Sequence, residues 1–120
     1  MIEIMPPMTL VAATVIALVG CASNQLTADL RSAQEPCRTQ HFQDKSSLVR
    51  CLNERERPVW AKEDPGTLDL FDRFAAERTE LARRYDGGAL TAEQYQAELR
   101  RIEAGTRAQL AERRGDRPLE

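Results

Sequence analysis

The chain has 120 residues, with 17 basic and 19 acidic side chains, a net charge of −2 and one histidine. That near balance leaves no electrostatic footprint for nucleic acid, and a single histidine cannot build a His-based metal site or a Cys–His dyad with any redundancy. With 30% charged and 5% aromatic residues, any folded part must manage with a thin core.

Met8–Val19 is an uncharged apolar run. A helix that crosses a bilayer needs roughly 20 apolar residues, so the run is too short for a stable span. It fits the roughly 7–15-residue hydrophobic region of a secretory signal. Taken alone, it also suits an uncleaved signal anchor or a buried core helix. Its end, Leu18-Val19-Gly20-Cys21, resembles the lipobox of bacterial lipoproteins. In that family the box cysteine is joined to diacylglycerol, and the peptide bond before it is then cut. Small residues precede the cut because the peptidase approaches the backbone closely. The resemblance implies that residues 1–20 are a signal peptide and that Cys21 is the lipidated new N-terminus. The segment Met1–Pro7 departs from the family pattern, with no Lys or Arg and with Glu3. That departure points to a start upstream, or at Met5 or Met8. Ala22 after the cysteine implies release to the outer membrane, facing the periplasm, so the membrane is an expected partner through the lipid.

Cleavage before Cys21 leaves about 100 residues, enough for one small domain. With Cys21 taken by lipid, Cys37 and Cys51 remain, and an exported compartment is oxidising. One pairing is then left. It closes a loop of about 15 residues and is worth roughly 3 kcal/mol in the chain-entropy estimate. A redox or metal role lacks both CxxC spacing and further ligands, and no cofactor is expected.

Residues 21–26 read as a short lipidated tether. Thr27 is expected to cap a helix over 28–39, with Leu30, Ala33 and Cys37 on one face and Pro36 breaking or bending it. His41–Lys45 is polar enough for a turn. Ser46 is the expected N-cap of a second helix over 47–57, whose apolar positions are Leu48, Val49, Cys51 and Leu52. Antiparallel packing brings Cys37 and Cys51 to matched depth, giving a stapled hairpin over 27–57. Glu54 and Glu56 alternate with Arg55 and Arg57, the pattern of a solvated helix end. Residues 58–66, from Pro58 to Gly66, read as a linker.

Asp64 as cap and Pro65 at the first helical position start a third helix from about Thr67 to Tyr85. Its stripe is Leu68, Phe71, Phe74, Ala75, Leu81, Ala82 and Tyr85. Arg78 falls within that stripe and must snorkel, pair or mark its edge. Gly87-Gly88 ends the helix. Thr91 and Gln94 form a capping box for a fourth helix from Ala92 to about Arg113, with Tyr95, Leu99, Ile102, Thr106 and Leu110 on one face. This second hairpin covers 67–114, and 115–120 reads as a frayed tail. No strand-like alternation occurs. The expected fold is all-α: two helical hairpins in a small bundle, the first stapled by the disulfide and the second held by packing.

The stretch from Leu81 to Ile102 resembles the short C-terminal helical hairpin called SHOCT. Gly88, Leu90, Thr91, Glu93 and Tyr95 match its pattern, while Arg100-Arg101-Ile102 stands in place of the leucine-rich ending. The resemblance implies an oligomerisation or protein-contact element. With no nucleophile–base pair or metal set in the sequence, the expected role is non-enzymatic: a lipid-anchored protein-binding or assembly factor of the envelope. Its partner is another envelope protein or itself, with no nucleic acid and no evident small-molecule substrate. The candidate contact residues are Trp60, Arg83, Arg84, Arg100 and Arg101. Tryptophan is enriched at binding hot spots, although Trp60 reads better as a plug between the hairpins. The arginine runs are interleaved with Glu77, Glu80, Glu98, Glu103 and Glu112, a pattern that favours a neutralised edge. The alternative role is an inhibitor or accessory subunit of a periplasmic enzyme, with the turn His41–Ser46 entering a cleft.

Overall fold

The computed structural model describes residues 21–115. The apolar run and residues 116–120 lie outside them, and with them the signal-peptide reading. Four helices follow one another: α1 (Cys21–Arg38), α2 (Lys45–Glu63), α3 (Leu68–Asp86) and α4 (Ala92–Arg114), with a 3₁₀ turn over Pro65–Thr67 between α2 and α3. There is no strand among the described residues. Each helix packs against the next, and α2 against α3 as fully as within either hairpin. The two expected hairpins are therefore joined side by side.

Several boundaries differ from the sequence reading. Residues 21–26, read as a tether, are helical, and Thr27 lies inside α1 and does not cap it. Pro36 and Pro58 both sit within helices. A proline removes one hydrogen bond to the carbonyl four residues back. Those carbonyls belong to Ser32 and Glu54, both exposed residues, so water can replace the lost donor. Continuing α2 past Pro58 also buries Trp60, which offsets that loss. The linker expected over 58–66 is thus helical to Glu63. Its real break is the turn that follows, where Asp64 precedes Pro65.

The α2 N-cap is Asp44, whose side chain accepts from Ser47 N at 2.8 Å; Ser46 is already inside the helix. The Thr91–Gln94 capping box is complete, with Gln94 N donating to Thr91 Oγ1 at 3.1 Å and Thr91 N to Gln94 Oε1 at 2.8 Å. Gly88 has φ +84°, a conformation costing a side-chain-bearing residue roughly 1–2 kcal/mol. Thr91→Ala is expected to lose about 1 kcal/mol and Gly88→Ala a similar amount, both read by urea denaturation. An unchanged midpoint in both variants would show that the α3–α4 turn opens before the rest unfolds.

Cys37 and Cys51 are bonded, with Cα atoms 5.8 Å apart, and Cys37 is fully buried. The core beside them joins Val49 of α2, Leu81 and Ala82 of α3 and Tyr95 of α4, with Tyr85, Leu90, Leu99 and Ile102 against it. The lower end of the α3–α4 hairpin is closed by charge. Arg113 donates to Asp69 at 2.8 and 3.1 Å and to the Gly66 carbonyl at 3.2 Å, and Arg114 pairs with Asp64.

Candidate functional site

A cleft of about 250 Å³ lies where α1 and α4 flank the α2–α3 layer. From α2 and α3 come Trp60, Phe71 and Phe74; α1 adds Leu30 and Gln34, and α4 adds Thr106 and Leu110. Trp60 and Phe71 stack with centroids 6.0 Å apart. The helical period explains the meeting: Trp60 follows Glu56 by four residues and Val49 by eleven, so all three share the buried face of α2.

Beside the aromatic pair is a buried ion pair. Arg78 Nη2 donates to Glu56 Oε1 at 3.0 Å, with the side chains only 8% and 5% exposed. Glu56 Oε2 accepts from Gln34 Nε2 at 2.8 Å. Arg78 Nε donates to Asn53 Oδ1 at 2.6 Å, and Asn53 Nδ2 donates to Thr79 Oγ1 at 2.9 Å. The guanidinium carbon stands 4.6 Å from the Phe74 ring centroid. Buried charges are tolerated when paired and fully hydrogen-bonded, and among the described residues no buried side-chain polar atom lacks a partner. The network ties α1, α2 and α3 into one register. Arg78 therefore pairs, one of the three fates open to it from sequence. Glu56, read as part of a solvated helix end, is instead buried.

A second, wider hollow of about 600 Å³ lies at the opposite end of α2, under the α1–α2 turn. Arg38, His41, Phe42, Lys45, Leu48, Tyr85 and Asp86 are among its lining residues. Asp86, at the end of α3, accepts from Lys45 N at 3.0 Å, Ser46 N at 2.9 Å and Ser46 Oγ at 2.6 Å. Its carboxylate thus satisfies N–H groups at the start of α2 and complements the helix dipole there. The Ser46 hydroxyl, followed by burial acting the other way and by the two backbone N–H groups, holds Asp86 below the usual carboxylate range. Asp69 beside Arg113, Asp72 beside Arg57 and Glu80 beside Arg83 are lowered too, each chiefly by the arginine hydrogen bond. A carboxyl depressed by folding adds stability above its unfolded pKa, and that stability is lost as pH falls through the folded value. The melting temperature is expected to hold from neutral pH to about 5 and to drop below about 4. Asp86→Asn should flatten part of that drop; a pH-independent melting temperature would contradict the assignment.

Of the five contact candidates, only Trp60 lines the cleft, and it sits on α2, where the sequence reading placed a connector. Arg84 and Arg101 line a shallow groove between α3 and α4 together with Glu77, Glu80 and Glu98. Arg83 is paired with Glu80 and Arg101 with Glu98, while Arg100 is exposed on α4. The structure does not gather the arginines into one basic edge. Gln34, Asn53, Phe71, Phe74 and Arg78, none of them a contact candidate from sequence, surround Trp60 or the ion pair.

Among the described residues no group of three or more His, Cys, Asp or Glu side chains is placed to hold a metal, and no helix is long and apolar enough to cross a membrane. No protein-family model, curated protein or solved structure matches this sequence.

Proposed function

We propose that this chain is a lipid-anchored protein of the bacterial envelope that works, without catalysis, by binding another envelope protein or a second copy of itself. The lipid at Cys21 supplies location, and the helical body supplies contact. The cleft beside Trp60 carries this reading. Its volume of about 250 Å³ falls below the roughly 300–1,000 Å³ of small-molecule pockets. It is the size to admit one or two apolar side chains, and Trp60 beside it is a residue type enriched at binding hot spots.

Trp60 is the sole tryptophan, so its emission reports directly on the cleft. For self-binding, sedimentation of a soluble Ala22–Glu120 form should show concentration-dependent association that shifts Trp60 emission and is weakened by Leu110→Lys at the cleft. If the form stays monomeric, a photo-crosslinker at position 110 in cells should give a discrete adduct that a crosslinker at position 100 does not. Failure of both would end the reading. The alternative, an enzyme inhibitor or accessory subunit, is favoured by a different observation. The turn bearing exposed His41 and Gln43 is pinned on one side by Cys37–Cys51 and on the other by Asp86. In that case the protein stays monomeric, and alanine at 41–43 abolishes inhibition.

A further inference from the structure

We propose that α1 is a rigid strut that stands the body on the lipid surface in one orientation, with the α2–α3 turn toward the membrane and the α1–α2 and α3–α4 turns away from it. This rests on Cys21 as the lipid-bearing residue, as proposed above.

Three pairs set the register of α1 on α2. Cys37 is bonded to Cys51, Gln34 is hydrogen-bonded to Glu56, and Leu30 shares the cleft with Trp60. The same register brings residue 27 level with Glu63, the last residue of α2. Residues 21–26 are helical and so run on past the end of α2, by about 9 Å at 1.5 Å per residue. The parts of the body at that end are the α2–α3 turn and the end of α4, held together by Arg113 on the Gly66 carbonyl and Arg114 on Asp64. The exposed turns around Gln43 and Ala89 lie at the other end.

The strut is stiff for local reasons. Residues 21–26 contain neither glycine nor proline. Gln25 Nε2 donates to both oxygens of Asp29, at 3.1 and 3.2 Å, across one turn. Leu26 is half-buried, which ties the strut to the body where it leaves it. A flexible six-residue tether has an end-to-end distance of about 13 Å and leaves the body free to tumble. A helix continuous with α1 does not. Two of the cations at this end, Arg113 and Arg114, are already paired with carboxylates of the body. The lipid-facing end is set by the direction of the helix.

The test uses the full chain, produced in a bacterial envelope, purified from membranes and placed in phosphatidylethanolamine–phosphatidylglycerol vesicles with a headgroup-attached nitroxide quencher. Intact mass first establishes acylation at Cys21. A bimane label is then placed in Gly66→Cys, where an added Cβ meets nothing within 4 Å, or in Ala89→Cys, which is exposed. The label at 66 should be quenched several-fold more than the label at 89. Replacing Ser23, Asn24 and Gln25 together with glycine should erase that difference while leaving vesicle binding intact. Acylated protein with equal quenching at 66 and 89 would overturn the orientation and leave the anchor standing. Protein without an acyl mass would remove the anchor, and the orientation with it.

Discussion

Glu56→Ala is expected to cost about 3–5 kcal/mol, because it leaves the Arg78 guanidinium buried without its counter-charge. A domain of this size has roughly 5–15 kcal/mol in all, so the loss is a large share of the total. At about 4–8 °C per kcal/mol, the melting temperature should fall by about 12 °C or more. The cause is the charge left behind more than the interaction removed. Arg78 keeps Asn53 on its Nε and the Phe74 face beside it, but neither carries a negative charge. The double variant Glu56→Leu, Arg78→Met should therefore be more stable than Glu56→Ala alone, since it removes both buried charges. A double-mutant cycle in urea separates the terms. If Glu56→Ala melts within a few degrees of the parent, Arg78 finds water through the cleft, and the pair is not buried in solution.

That pair also shows how far the sequence could be read. The all-α class, the capping box and the glycine turn follow from local chemistry, and each is present. The fate of Glu56 depends on where α2 ends. With Pro58 taken as a terminator, the Glu54–Arg57 run becomes a solvated end. With the helix continued to Glu63, Val49, Glu56 and Trp60 fall on one face. Arg78, alone in the apolar stripe of α3, was the usable signal, because a buried cation demands a carboxylate on the element facing it. The same local bias misplaced the α2 cap. Ser46 has the right chemistry, but Asp44 takes the capping position and Ser46 binds Asp86 instead. No sequence rule reports a contact between residues 46 and 86 before the packing of α2 on α3 is known. Arg113 and Arg114 posed a different problem, because their partners Asp69 and Asp64 lie on other elements and are set by the close of the α3–α4 hairpin.

Opening the Cys37–Cys51 bond, by reduction or by replacing both cysteines with alanine, is expected to cost about 3 kcal/mol for a loop of this length. The loss should fall unevenly. Cys37 is buried, whereas Leu26, Leu30, Ala33 and Gln34 of α1 are only half-buried. Beyond the bond, the Gln34–Glu56 hydrogen bond is a polar tie from α1 to its neighbour. By contrast α3 buries Leu70, Phe71, Leu81 and Ala82 and keeps partners on both sides. Most of a helix's stability in a protein comes from packing of its apolar face, and Pro36 already removes one hydrogen bond within α1. Without the bond, α1 should then open at a lower free energy than the rest of the bundle. Hydrogen exchange should rise across residues 25–36 while the α3–α4 hairpin stays protected, and Trp60 emission should shift to the red as Leu30 and Gln34 leave the cleft. Re-oxidation should restore both. A uniform rise in exchange would instead mean that α1 belongs to the same cooperative unit as α3 and α4. The half-buried side chains of α1 would then hold it more tightly than their exposure implies, and the cleft would be a closed part of the core.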